Sequence, residues 1–165
     1  MENSLIPPGW SHNPSEWFAR LPVIVLALLG CGIATYLTLY QVDVLHGVWE
    51  PFFGDGSLLI LKKSAIVRFL HPVPDASLGA GAYLAEVVVE LIGGRDRWRT
   101  RPWVVVLNGI IALSLALMGI LLTICQPVFF HHFCTLCLSS AACSLAILAT
   151  SFREAWAAVR FLRTR

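Results

Sequence analysis

Two cysteines three positions apart, Cys134 and Cys137, are the residues of this chain best suited to chemistry. On a helix, positions i and i+3 share one face, so the two thiols can join as a disulfide with a modest adjustment. A thiol near a helix N-terminus ionises more readily, because the helix dipole and the free N–H groups favour the thiolate. The C-x-x-C therefore predicts a pair that alternates between dithiol and disulfide.

Two other interpretations of this segment remain open. Cysteines in an apolar helix can be small packing residues, the role that we expect for Cys31, Cys125 and Cys143. The sequence HHFCTLC also puts His131 and His132 beside the pair, and tetrahedral zinc can bind two Cys with one or two His. Adjacent histidines diverge, however, and a structural zinc usually takes ligands from a second hairpin. No metal site is predicted for this reason.

The composition argues against a soluble protein. Of the 165 residues, 57% are apolar and 13% are charged, whereas a soluble domain carries about 25% charged residues. The mean hydropathy of +0.73 indicates the same. A net charge of +2 with no basic patch outside short loops excludes a nucleic-acid partner. The sequence therefore predicts an integral membrane protein in contact with lipid.

We predict an all-α fold, a single membrane domain built as a four-transmembrane-helix bundle. A helix needs about 20 apolar residues to cross the hydrocarbon core, and the predicted spans are 21–40, 78–93, 102–125 and 132–151. In the first outer loop, a short amphipathic half-helix is predicted at 57–70, with Ser57 as its N-cap. Residues 152–165 form a basic cytoplasmic tail, which suits either a helix at the inner leaflet or a simple end to the last span.

The basic residues predict an orientation in the membrane. Nine of the 12 Lys and Arg residues fall on one side, among them Arg95, Arg97, Arg99 and Arg101 between the second and third spans. Because Lys and Arg concentrate in cytoplasmic segments, the N- and C-termini are predicted to be cytoplasmic. The C-x-x-C then faces outward, into the compartment where disulfides persist.

Glu86 and Glu90 interrupt the second span. An ionisable group at membrane depth is by default a functional hypothesis, so Glu86 can belong to a proton path. The alternative, which we favour, is a protonated carboxyl bonded to a neighbouring helix, with Asn108 or Thr123 as the partner. Glu90 lies closer to the cytoplasmic interface, where we expect it to be solvated and to face the arginines.

Four sequence features, taken together with their order along the chain, indicate a known protein family. They are FCTLCLSSAACSLAI around the C-x-x-C, GIATYLT in the first span, the long outer loop with its half-helix, and D-A-x-L-G-x-x-A-Y-L at the second span. Together they cover about residues 20–151 and resemble the vitamin K epoxide reductase family. The resemblance implies a membrane thiol–quinone oxidoreductase of the bacterial inner (plasma) membrane. Its helices would enclose a quinone (ubiquinone, menaquinone or similar) near the outer leaflet.

The resemblance also implies roles for individual residues. Cys134 and Cys137 would be catalytic, with Cys137 next to the quinone and Cys134 exchanging with an outside partner such as a thioredoxin-like periplasmic protein. The candidate quinone contacts are Phe129, Phe133, Asp75 and Tyr83. Asp75 can equally cap the second span, and the two phenylalanines can belong to an aromatic belt at the membrane interface.

The chain departs from the family pattern in the outer loop. The family carries a second cysteine pair there that resupplies electrons, but no cysteine lies between Cys31 and Cys125, and VWEPFFGDGS takes its place. This indicates a bacterial-type member lacking the loop cysteine pair. Either an external dithiol reaches Cys134 directly, or the chain is a non-enzymatic membrane subunit with no independent redox turnover. Cys125 is the candidate for an internal replacement thiol, and Ala141 stands where animal members carry a tyrosine near the quinone.

Overall fold

The structure is a computed structural model that describes residues 6–7, 10–54 and 74–164. The described residues form helices and no β-strand. The helices are α1 (Trp17–Gln41), α2 (Asp75–Leu91), the short α3 (Arg97–Thr100), α4 (Pro102–Cys125) and α5 (Thr135–Arg163), and a π-helical segment (Gln126–Phe130) follows α4 directly. The all-α fold class is therefore confirmed, whereas the half-helix predicted at 57–70 lies outside the described residues.

The four long helices among the described residues pack as a bundle. Helix α1 lies between α2 and α5, and α4 packs on α5 and α2. Small residues allow α4 and α5 to approach closely, since a Cβ added at Gly109 would lie 2.8 Å from the Cβ of Ala155. The same holds at Gly119, where an added Cβ would lie 2.8 Å from the Ser144 hydroxyl. Close contact of this kind is how helices associate where no hydrophobic drive acts between them.

Three helices of the described chain are long and apolar enough to cross a membrane: Trp17–Gln41, Pro102–Phe129 and Thr135–Arg163. Their outward faces carry many exposed apolar side chains, for example Phe18 and Trp103. These features indicate an integral membrane protein. Helix α2 has 17 residues and carries Asp75, Glu86 and Glu90, so the predicted count of four spans stays a prediction.

Helix α5 is longer than the predicted fourth span. It continues without a break to Arg163, and Phe161 packs edge-on against Trp98 of α3 with 5.6 Å between the ring centroids. Most of the predicted tail is therefore the last part of α5, not a separate helix.

A buried ion cluster (Arg20, Glu90, Arg97 and Glu154) joins the helices at the end of the bundle opposite to the C-x-x-C. The Arg97 guanidinium donates to Glu154 at 2.5 Å and to Glu90 at 2.7 Å, and Arg20 donates to Glu90 at 3.2 Å. Asn108 of α4 donates to the second oxygen of Glu90 at 2.9 Å. The prediction that Glu90 is solvated is wrong: it is 1% exposed. Its charge is matched inside the protein, by arginines that the sequence assigns to loops and helix ends.

Arg97 also ends α2. Its Nη1 donates to the carbonyl oxygens of Val89 and Glu90 in the last turn at 3.2 and 3.1 Å, and the Val89 oxygen also accepts the Ile92 N–H. Burial alone would lower the pKa of Arg97, but the hydrogen bonds and charges of Glu154 and Glu90 outweigh burial and raise it. The guanidinium therefore stays charged although it is fully buried.

Glu86 lies one turn before Glu90 and is also fully buried. Neither of its carboxyl oxygens has a hydrogen-bond partner among the described residues. The predicted bond to Asn108 or Thr123 is therefore wrong, and Asn108 instead uses its amide on Glu90. A buried carboxyl without partners or counter-ion is far cheaper to hold in its neutral form.

Candidate active site at the C-x-x-C

Cys134 is the N-cap residue of α5. Its backbone is extended (φ −124°, ψ 116°), and helical geometry begins at Thr135. The Cys134 sulfur accepts the backbone N–H of Cys137 at 3.2 Å, and both thiols are free. The N-cap position places the sulfur at the positive end of the helix dipole, which stabilises a thiolate.

The π-helical segment positions Cys134 from the other side. Gln126, the first residue of that segment, is 2% exposed, and its side-chain oxygen accepts the Cys134 backbone N–H at 2.9 Å. His131, which follows the segment, has a left-handed backbone (φ 57°) that turns the chain toward α5. Gln126 was missed in the sequence analysis, although a glutamine directly after an uncharged span is a usable signal.

Cys137 faces a cavity of about 310 Å³ between α1, α2, α4 and α5. Its wall is largely apolar, with side chains such as Leu37, Leu115 and Met118. Among the described residues, the polar side chains in this wall are Gln41, Asp75, Tyr83, Ser114, Ser140 and Ser144. A concave apolar site with a few polar groups is the usual form of a small-molecule pocket, and its volume lies at the lower end of the usual range.

Two of the predicted contact residues, Asp75 and Tyr83, line this cavity together with Cys137. The Tyr83 ring is buried, and its hydroxyl donates to the Ser140 carbonyl oxygen at 2.6 Å. The Asp75 carboxylate accepts the Gln41 side-chain amide at 2.5 Å and the Ala76 N–H at 2.8 Å. Pro74 is the N-cap of α2 and Asp75 is the first helical residue, so the prediction that Asp75 caps this helix is wrong.

The other two predicted contact residues, Phe129 and Phe133, lie outside the cavity lining. Phe129 is 71% exposed, and Phe133 packs against Phe53 with 5.5 Å between ring centroids. Neither lines the cavity, whereas Ala141 does. Their binding role and the aromatic belt both stay predictions.

The other cysteines do not line the cavity. The Cys31 thiol donates to the Ala80 carbonyl oxygen at 3.6 Å, and Cys125 and Cys143 are half-buried. Within the described part of the chain, no group of three or more His, Cys, Asp or Glu side chains is arranged to hold a metal ion.

Glu50, a residue not singled out in the sequence, reaches the start of α5 from the loop after α1. Its carboxylate accepts the Thr135 backbone N–H at 2.9 Å and also the Thr135 hydroxyl. Burial raises the pKa of Glu50, but the hydrogen bonds from Thr135 outweigh burial and lower it below its ordinary value. Glu50 is therefore an anion at neutral pH, and it binds Thr135, the residue that follows Cys134.

The fold and the site together define a class: a helical membrane protein with a free dithiol at the end of one helix and an apolar cavity beside it. A family model, the vitamin K epoxide reductase family, matches residues 21–152, and the chain belongs to this family. The family is one of membrane thiol–quinone oxidoreductases. Comparison with curated proteins and with solved structures found no match.

Proposed function

We propose that the protein is a membrane thiol–quinone oxidoreductase in which Cys134 and Cys137 are the redox pair. The observation that carries the proposal is the position of Cys137, whose side chain lines the apolar cavity while its partner Cys134 lies outside the lining. Cys137 can thus meet a bound molecule, while Cys134, at the helix N-terminus and outside the cavity lining, is the thiol that we propose for exchange.

The cavity suits a quinone ring. Its walls are apolar, as a ring that partitions into lipid requires, and the few polar groups can orient the ring oxygens. Tyr83 and Asp75 are the polar side chains that we propose for this task, with Ala141 and Leu115 as parts of the apolar wall. The quinone would supply an acceptor for two electrons and two protons.

The residues of the chain supply the matching half of the reaction. Closure of the Cys134–Cys137 disulfide releases two electrons and two protons. The pair is then reset by an external dithiol: its thiolate attacks the Cys134 sulfur, Cys137 leaves as thiolate, and the second external thiol displaces Cys134. The partner leaves as a disulfide, and the protein regains its dithiol. A thioredoxin-like periplasmic protein is the partner class that we propose.

We further propose four membrane spans in a bacterial inner membrane, with both termini cytoplasmic. Helix α2 rises about 25 Å over its length at 1.5 Å per residue, close to the thickness of the hydrocarbon core. The charge of Glu90, near its end, is matched inside the bundle by Arg97 and does not meet lipid. The arginines gather at the end of the bundle opposite to the C-x-x-C, which supports an outward-facing dithiol.

Quinone reduction by the purified protein tests the proposal. The protein in detergent is supplied with dithiothreitol and a short-chain quinone, and loss of quinone absorbance is followed after subtraction of the uncatalysed rate. Cys137→Ser and Cys134→Ser should each reduce turnover to the uncatalysed rate. Cys143→Ser, on the same helix but outside the cavity lining, should leave turnover unchanged. Unchanged turnover in Cys137→Ser would exclude the proposed redox pair.

The rival function is a non-enzymatic subunit with the same fold, which the missing loop cysteine pair favours. Thiol trapping in intact membranes separates the two functions. In Cys137→Ser, the Cys134 thiol can form a mixed disulfide with a partner but has no neighbour to resolve it. An adduct that disappears on reduction and is absent from the Cys134→Ser variant supports the oxidoreductase, and a wild-type protein inert to both dithiol and quinone supports the subunit.

A further inference from the structure

Cys134 is fully buried, which conflicts with direct exchange with a large partner. Both of its chain neighbours are held by segment 48–54, which follows α1. Phe53 packs on Phe133, and Glu50 binds Thr135. A third contact fastens the segment to α1, where the Trp49 N–H donates to the Tyr36 hydroxyl at 3.2 Å.

The same segment stays away from the cavity. Val48 packs against the buried pair Leu37 and Tyr40 of α1, but no residue of segment 48–54 lines the cavity. The segment therefore contacts the start of α5, whereas the wall of the cavity is formed by other residues. Segment 48–54 thus contacts both chain neighbours of Cys134 and takes no part in the cavity wall that Cys137 lines.

Glu50 is the charged contact in this segment, and it competes with the Cys134 thiolate. Both anions lie at the N-terminus of α5, where free N–H groups and the helix dipole attract negative charge. Glu50 takes the Thr135 N–H, and Cys134 takes the N–H of Cys137. While Glu50 is bound, it both helps to cover the sulfur and repels the thiolate form.

We propose that Glu50 is a positioning residue that holds segment 48–54 over Cys134 and keeps the dithiol from external thiols and disulfides until the segment is released. The exchange that it controls rests on the proposed function, but the covering of Cys134 does not. Segment 48–54 thus gives the two thiols different access. Cys137 stays open to a ligand in the cavity, while Cys134 is closed to thiols and disulfides in water.

The test measures how fast Cys134 is modified by a neutral, bulky polyethylene glycol maleimide, with the site identified by peptide mass spectrometry. The reduced full-length protein is used in detergent, without quinone. Glu50→Ala removes two hydrogen bonds to a charged group, so we expect modification of Cys134 to rise on the order of tenfold or more. Glu16→Gln, on a carboxylate at the other end of α1, should not change the rate.

A second variant separates uncovering of the sulfur from a change in its ionisation. Thr135→Val removes the hydroxyl that binds Glu50 but keeps the Glu50 charge, so a rise in modification there reports opening of the segment. Equal rates in wild type, Glu50→Ala and Thr135→Val would overturn the proposal. If the variants uncover Cys134 but quinone turnover does not need Cys137, the proposed function fails and the role of Glu50 stands.

Discussion

Gly30 of α1 touches the ring of Tyr83 on α2 so closely that a Cβ added at Gly30 would lie 2.5 Å from two of its ring atoms. The ring has no room to withdraw, because it is buried and its hydroxyl is fixed on the Ser140 carbonyl oxygen at 2.6 Å. The missing side chain of Gly30 thus sets where the Tyr83 ring enters the cavity wall.

Gly30→Ala should therefore displace Tyr83 and destabilise the bundle by about 1–3 kcal/mol, the usual cost of overpacking. Thermal unfolding in detergent and quinone turnover both report the change. Gly32→Ala is the matched control, because nothing lies within 4 Å of an added Cβ there, and it gains the same helix propensity. A Gly30→Ala protein as stable and as active as Gly32→Ala would show that the contact does not constrain Tyr83.

Glu86 and Glu90 lie one turn apart on α2 but should respond differently to the same substitution. The charges of Arg20 and Arg97 are balanced by those of Glu90 and Glu154, and within the described part of the chain the Glu86 carboxyl has no hydrogen-bond partner. Glu90→Gln leaves an unmatched buried arginine and should cost about 3–5 kcal/mol. Glu86→Gln replaces a neutral carboxyl by a neutral amide and should cost about 1 kcal/mol or less. Denaturation in detergent compares the two, and a larger loss at Glu86 would show that its charged form is needed.

Arg97→Lys keeps the positive charge but should still destabilise the protein. The Arg97 guanidinium donates to Glu154, to Glu90 and to carbonyl oxygens of α2 at once, which an ammonium on a flexible stem cannot reproduce. We expect a loss of about 2 kcal/mol or more, the worth of a hydrogen bond to a charged group. Arg95→Lys, on an exposed neighbour, is the control, and equal unfolding temperatures for both variants would contradict the prediction.

The contact of Glu50 with Thr135 should depend on pH. Because the pKa of Glu50 is lower in the folded protein than in a free chain, the stabilising contact is complete above the ordinary glutamate pKa of 4.5. It is lost as the pH falls through the lowered value. The Cys134 and Cys137 thiols are the titratable groups that interact with Glu50.

Modification of Cys134 in wild type and in Glu50→Gln checks this dependence, since the ratio of the two rates cancels the intrinsic effect of pH on the thiol. The variant should react faster at neutral pH, and the ratio should approach one below the pKa of Glu50. A ratio that is constant over the whole range would exclude a role for the Glu50 charge.

The sequence predicts the elements of this protein better than its internal contacts. Long uncharged runs give the apolar helices, because length and composition suffice to identify a segment that can cross a membrane. The C-x-x-C likewise lies at a helix start, as its position after QPVFFHHF suggests. These are local properties, and each depends on a stretch of chain no longer than one helix.

The contacts that the sequence could not predict join distant positions. Glu50 binds a residue 85 positions later, and Arg97 binds Glu154 at a separation of 57. Near the end of a span, a glutamate beside arginines looks solvated, yet Glu90 is buried, because α3 folds Arg97 back under α2. Such pairings result from the packing of whole helices, and no periodic pattern in the sequence indicates them.

Arg97 has a consequence for how the protein is made. Arg97 lies with Arg95, Arg99 and Arg101 in the segment between α2 and α4. Positive charge in such a segment favours its retention on the cytoplasmic side during membrane insertion. The first carboxylate partner of Arg97, on Glu90, is already synthesised when Arg97 emerges, but the second, on Glu154, belongs to α5 and comes last. The ion cluster therefore cannot be completed before α5 has been made and has packed against the other helices. A nascent chain that ends before Glu154 would hold Arg97 with one carboxylate partner in place of two.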